Sequence, residues 1–353
     1  MRLCRVRVVG LGALSDLTLS LLGEDEAPRP LVVLFGGDGT GKSTLLNAIA
    51  HTRPGYALPP LPRPRPRLQQ QEERKGFVVA EWALGDDDLA RPHPLLVTSP
   101  NAAIEGETDN EAILRRREQA LFDKRAQDHG FAFVAISGAR WFSRTAVMLS
   151  SPERTVAKYD PRASVSFDDA SRSDLTRDTK QIYSYAAIAR ALEARTEDPR
   201  IGQLDLALRE VAAVLLEPFG ARYEGADPGT LEPIFAINGG PLVLFDDLPR
   251  GARHLLAIGA LATRALYGAY EGDPLKVRER EGVVLVDDLE SMQDAVIAKL
   301  IPHLLARALP RVQWITATSH ASVTMSCDRG EVIALRRAGD RLELHEGPLA
   351  TLH

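Results

Sequence analysis

The chain has 353 residues, of which 44% are hydrophobic and 26% charged, with a net charge of −5 at neutral pH. That length predicts about two domains with a sizeable core. The mildly acidic total excludes a chain-wide electrostatic grip on nucleic acid, which would have to come from a local patch. Only two cysteines occur, Cys4 and Cys327, without metal-ligand spacing; this points away from a disulfide framework and towards a reducing cytoplasm. The longest apolar runs, such as 255–262, are far short of a membrane span, and no leader pattern follows Met1. The expectation is a cytoplasmic protein with no membrane contact.

In chain order, residues 2–9 and 14–22 alternate apolar and polar side chains, the pattern of half-buried strands. Residues 31–35 (LVVLF) form a short apolar run of the kind buried in parallel sheets, and a helix begins in LLNAIA at 45–50. The stretch 53–67, rich in proline and arginine, reads as a surface loop or a partner-binding segment. Residues 76–84 and 94–98 read as a strand pair about the Asp86–Asp88 turn, 107–129 as a charged helix, and 131–137 (FAFVAIS) as another buried strand. Residues 151–180 are polar enough for a long loop, 181–195 and 203–216 have helical periodicity, and 221–230 reads as a turn-rich connector. A hairpin about Asn238-Gly239-Gly240 is predicted next, then a helix over 250–270 and a buried strand over 282–286. A helix over 291–309 follows, with Met292, Val296, Leu300 and Leu304 on one face, then a strand over 312–316 and a terminal hairpin over 331–345. No internal repeat or sustained heptad pattern is present.

Three motifs carry chemistry. Residues Gly36, Gly37, Asp38, Gly39, Thr40, Gly41, Lys42 and Ser43 fit the phosphate-binding pattern GxxxxGK[ST], with Thr44 following, between an apolar strand and a helix. The glycines let backbone N–H groups turn towards phosphate oxygens, and the helix start adds its positive dipole end. Lys42 would reach the β- and γ-phosphates, and Ser43 would give a hydroxyl to Mg²⁺. The run Val283–Val286 ends in Asp287 and Asp288. Paired acids closing a buried strand need a reason, because unpaired buried charge is costly. An Mg²⁺ ion beside a triphosphate supplies one: Asp287 would hold the ion, and Asp288 would orient or deprotonate the attacking water. The strand entering Thr316-Ala317-Thr318-Ser319-His320 would place His320 where it could sense a γ-phosphate.

Together these segments resemble the ABC-type ATPases of the RecF, structural-maintenance-of-chromosomes (SMC) and OLD (overcoming lysogenization defect) group. The resemblance rests on the opening strands with GGDGTGKSTLLNAIA, on VVLVDDLESMQDAVIAKLIPHLL, and on VQWITATSH, and covers about residues 1–50 and 235–325. It implies an α/β P-loop NTPase fold of the ABC-head type: a mixed sheet with a parallel core, an antiparallel β part and a helical lobe. It divides the chain into 1–100 with the P-loop, an inserted mainly helical lobe at 101–230 with a core strand at 131–137, and 231–353 as the second half of the ATPase core. It assigns Ser43 and Asp287 to Mg²⁺, Asp288 to the catalytic acid position, His320 to the switch histidine, and Leu289 to Asp294 to the D-loop. Asp288 stands where the family mostly has Glu. Leu248-Pro249-Arg250-Gly251 matches the signature segment that binds the γ-phosphate held by a second subunit, with Pro249 in place of serine; proline has neither a hydroxyl nor an N–H. Gly251 could still present its N–H, and Arg250 or Arg253 could meet phosphate. Arg140, after FAFVAIS, is a candidate phosphate contact where a Q-loop glutamine is expected, and Gln181 is another.

The resulting expectation is a Mg²⁺-dependent ATP hydrolase subunit that dimerises around ATP, or joins a hetero-complex with an effector protein. It would work with DNA or a nuclease partner in repair or phage defence. The alternative is a regulatory ATP switch that recruits a protein with little turnover. A transporter ATPase is disfavoured by the large insertion and the missing serine, and a GTPase by the lack of an NKxD motif. About 30 residues follow His320, so by this resemblance an ATPase without a nuclease domain of its own is expected.

Overall fold

The computed structural model describes residues 1–12, 14–54, 76–84, 93–100, 102–128, 130–149, 174–192, 201–270, 276–339 and 341–347. The Pro/Arg-rich stretch beyond residue 54, the Asp86–Asp88 turn and the polar stretch up to residue 173 lie outside them.

The protein is an α/β fold built on a six-stranded mixed sheet. Its strands are β3 (Leu31–Phe35), β6 (Ala132–Ile136), β10 (Gly282–Val286), β11 (Val312–Thr318), β12 (Val332–Ala338) and β13 (Arg341–Glu346). They run in the order β13-β12-β3-β11-β10-β6, and all neighbours are parallel except the terminal hairpin β12–β13. A second, antiparallel sheet has the order β2-β1-β4-β5, from β1 (Arg2–Leu11), β2 (Leu14–Ser20), β4 (Phe77–Ala83) and β5 (Leu95–Thr98).

The two-residue period of the central strands gives each face its own core. Val32, Leu34, Val283, Leu285, Ile315 and Ala317 face the antiparallel sheet and helix α1 (Lys42–Ala50). Leu31, Val33, Val284, Val286 and Trp314 face the other way. There they meet α3 (Thr176–Leu192), α4 (Ile201–Leu215), α5 (Arg250–Ala269) and α6 (Ala295–Ala308). The antiparallel layer is also pinned by a polar tie: the buried Gln313 amide accepts from Leu3 N at 2.8 Å and donates to Leu3 O at 2.9 Å. Among the described residues no helix is long and apolar enough to cross a membrane.

Several elements differ from the sequence expectation. Residues 101–230 do not share one core: Phe122 of α2 (Asp109–Gln127) packs with the antiparallel layer, whereas α3 and α4 cover the opposite face of the sheet. The polar 176–180 stretch opens α3 instead of ending a loop. Ala221–Ala226 is a strand, β7, which pairs with β8 (Pro233–Ile237) and, through it, β9 (Leu242–Leu244). Its buried Ala221 and Tyr223 alternate with polar residues, a pattern masked by the Pro228-Gly229 turn that follows. Helix α6 starts only at Ala295, capped by Asp294, whose side chain accepts from Val296 N and Ile297 N. Its inner face is Ala298, Ile301, Leu304 and Leu305, with Pro302 inside the helix, while Val296 and Leu300 point to solvent.

Candidate nucleotide site

Parallel strands bring their carboxyl ends to one edge, and four such ends lie side by side here: β3, β11, β10 and β6. They carry, in that order, the glycine loop, Ser319–His320, Asp287–Asp288 and Gly138–Arg140. Register fixes the alignment, with Thr318 opposite Phe35, and Val286 opposite both Thr316 and Ile136. A crevice beyond the carboxyl ends of an open α/β sheet is where such folds bind ligands.

The loop from Gly36 to Gly41 turns sharply into α1. Gly39 has φ 77° and Gly41, the N-cap, has φ 94°, conformations that glycine adopts without a side-chain clash. A Cβ on Gly36 would come within 2.7 Å of Leu335 O, so the strand β12 passes too close for any side chain. A Cβ on Gly37 or Gly39 would meet no atom within 4 Å, so that side of the loop is open. Thr40 Oγ1 donates to Gly37 O at 2.8 Å and braces the turn. Lys42 is buried and lies along the loop, its ammonium donating to Gly36 O at 2.7 Å and Gly37 O at 3.0 Å. Asp38 and Ser43 are exposed and Thr44 is half-buried. A cleft of about 590 Å³ opens beside Gly36, Gly37 and Ser319, walled by Arg336, Leu344 and His345.

Asp287 is buried beside the Ser43 hydroxyl. Burial pushes the Asp287 carboxyl above its ordinary range; the Ser43 hydroxyl draws it back, and the Asp288 charge adds to the rise. Asp288 is exposed, with φ 45°. A Cβ on Gly138 would fall 2.3 Å from Asp288 Oδ2, so the acid occupies space that only a glycine leaves. His320 is exposed at the end of β11, its Nδ1 3.1 Å from Ser322 Oγ. A hydroxyl and a carboxylate are hard oxygen donors that suit Mg²⁺, an ion that ordinarily completes its shell with phosphate oxygens and water. Among the described residues no group of three or more His, Cys, Asp or Glu could hold a metal ion.

Arg140 is used differently from the expectation of a phosphate contact. It is buried, with Nε donating to His254 Nε2 at 2.6 Å and Nη1 to Ser137 O at 2.9 Å and Asp287 O at 2.5 Å. Its Nη2 donates to Asp288 O at 2.5 Å. Burial lowers its pKa to about 10 against the pull of Asp288, Asp287 and Glu290. Gln181, the other candidate, is buried in α3 and donates to Met148 O.

Gly251 is buried in the first turn of α5, and its carbonyl accepts from Gln293 Nε2 at 3.0 Å. Pro249 is the N-cap and makes no side-chain capping bond; Arg250 is exposed and Arg253 lies over the Phe142 ring at 5.7 Å. Sequence reasoning missed His254 here and placed Glu290 and Gln293 only within the D-loop segment. A histidine within an otherwise apolar helix (HLLAIGALATRAL) was the one signal available for His254. Glu290 Oε1 accepts from Ser319 N at 3.1 Å and Ser319 Oγ at 3.3 Å, tying the turn after β10 to the residue before His320.

No protein-family model matches the chain, and no curated protein matches it. Among solved structures it is similar to an SMC head domain from Thermotoga maritima, with a TM-score of 0.49 and 11% identity over 98% of this chain and 99% of that one. It is likewise similar to an Smc head domain with an extended coiled coil bound to the C-terminal domain of ScpA, derived from Pyrococcus furiosus. There the TM-score is 0.49 and the identity 12%, over 99% of this chain and 97% of that one.

Proposed function

We propose that this chain binds ATP with Mg²⁺ at the Gly36–Thr44 loop and hydrolyses it. The observation that carries the reading is the open glycine loop at the carboxyl end of β3, on the same sheet edge as the Asp287–Asp288 pair after β10. In this reading Ser43 and Asp287 hold the ion, and Lys42 leaves the Gly36 and Gly37 carbonyls for the β- and γ-phosphates. Asp288 accepts the proton of the attacking water, and His320 lies at the γ-phosphate end. ATP binding would bring the α5 start, with Gly251, against the nucleotide of a second copy or of a partner subunit. The work done is on DNA or with a nuclease-like effector, in repair or phage defence.

One observation favours slow turnover and a switch-like role. The first turn of α5 begins at Pro249, which gives no hydroxyl, and Gly251 is covered by Gln293. The test is ATP turnover with and without DNA, beside the solution mass in ATP, for the wild type and Asp288→Asn. Loss of turnover by about 10² or more in the variant, with a dimer retained in ATP, supports the hydrolase. Dimerisation without turnover selects the switch. Neither turnover nor association would sink the self-sufficient ATPase.

A further inference from the structure

A hydrogen-bonded chain runs from the acid turn through Arg140 to His254 of α5, and Gln293 adds a separate tie. It begins at the carbonyls of Asp287 and Asp288, which Arg140 holds with Nη1 and Nη2, both at 2.5 Å. It continues through Arg140 Nε to His254 Nε2 at 2.6 Å, in the second turn of α5. The separate tie is Gln293, which donates from Nε2 to Gly251 O at 3.0 Å in the first turn of α5.

The chemistry of each group fixes its state. Arginine has only donors, so His254 Nε2 must be a bare acceptor and the ring proton sits on Nδ1. Full burial and the Arg140 charge both hold His254 neutral. Asp288 has φ 45°, a left-handed conformation that residues other than glycine adopt sparingly, Asp more readily than most. Arg140 grips the carbonyl on each side of that residue's φ and ψ, and Gly138 leaves the space its carboxylate fills. Nothing else in the described site ties the acid pair to α5 so directly.

We propose that Arg140, oriented by His254, is a positioning residue that locks the Asp287–Asp288 turn in its left-handed form and, through its bond to His254, makes the start of α5 move with it. The purpose of that link, to pair an event at the acids with the face shown to a second subunit, rests on the function proposed above. The link itself does not, and it can be tested without turnover.

The experiment is amide hydrogen exchange without nucleotide on the wild type, Arg140→Lys, His254→Leu and His254→Gln. Lysine keeps the charge but cannot hold two carbonyls and a histidine at once; glutamine keeps an acceptor for Arg140 and leucine does not. Exchange in 286–293 and in 250–255 is expected to speed up together, tenfold or more, in Arg140→Lys and His254→Leu, with 31–50 unchanged. His254→Gln is expected to stay within threefold of the wild type. Should Arg140→Lys fail to fold, the leucine–glutamine contrast decides. Unchanged exchange, or a change in one segment only, overturns the link, and equal speeding in 31–50 reduces it to general destabilisation. In parallel, affinity for a fluorescent ATP analogue is expected to hold within twofold in Arg140→Lys while turnover falls tenfold. A matching loss of affinity would make Arg140 a phosphate ligand and overturn the positioning role. A wild type without turnover would defeat the hydrolase reading and leave the exchange result standing.

Discussion

Two helices start at this edge of the molecule with a glycine and basic residues, and they are built in opposite ways. At α1, Gly37 and Gly39 face space that no atom fills within 4 Å. At α5, a Cβ on Gly251 would come within 2.4 Å of Gln293 Oε1 and 3.2 Å of Phe219. Both starts have unpaired N–H groups and a positive dipole end. The first leaves them open to a ligand from solvent. The second is packed from within and is capped by a proline that offers no donor. Helix-start chemistry alone therefore does not make a phosphate site; the packing around the glycine decides whether an anion can arrive.

The largest test of that contrast is Lys42→Ala, which removes the single ammonium on the open loop. Affinity for Mg·ATP is expected to fall about 100-fold, close to 2.7 kcal/mol, by titration with a fluorescent analogue, while Arg250→Ala on α5 changes it less than threefold. An equal loss from both would erase the distinction between the two starts.

The paired glycine variants sharpen it. Gly37→Ala is expected to leave the unfolding free energy within about 0.5 kcal/mol of wild type, as for an uncrowded surface change, yet to weaken nucleotide binding about tenfold. Gly251→Ala is expected to do the reverse, losing about 1–2 kcal/mol by overpacking with monomer nucleotide affinity intact. Urea unfolding and the same titration read both.

Asp287 separates stability from binding at the open site. Its carboxyl is raised by burial, so the folded chain holds that proton more tightly than the unfolded one; the penalty is present above the raised pKa and vanishes as the pH falls through it. Asp287→Asn is thus expected to raise stability at pH 7.5 by about 1 kcal/mol, as relief of a functional burial often does, while abolishing the Mg²⁺ dependence of nucleotide binding. A variant less stable than the wild type would contradict the burial argument.

The smallest effect concerns the closed site. His254 is held neutral, its pKa well below the ordinary value. The unfolded chain takes up a proton as the pH drops below about 6.5 and the folded chain does not. Stability is therefore lost on going from pH 7 to pH 5.5, and thermal melts of His254→Gln should show a shallower decline over that window. Identical slopes would mean that His254 is not buried and neutral.

Much of this was legible in contiguous sequence. Five-residue apolar runs such as LVVLF and GVVLV fell where the central strands are, and the alternation of residues 2–9 marked β1. The terminal hairpin and the Asn238-Gly239-Gly240 turn were equally local. Legibility failed where a stronger neighbouring signal intervened, as in β7 beside Pro228-Gly229, and for the inner face of α6. It also failed for the acceptors of Arg140, which lie far away in sequence.

By itself, then, the sequence determined the glycine loop, the acid pair after a buried strand and the histidine after another, because each is a short run whose chemistry needs no distant partner. The tertiary structure alone decided that these runs share one edge, since that follows from a strand order of β3-β11-β10-β6 that no local pattern encodes. It also decided that Arg140 is buried against partners 114 and 147 residues away. A buried guanidinium must spend its donors on whatever acceptors the fold brings to it, and those acceptors are set by chain crossing rather than by the residues on either side.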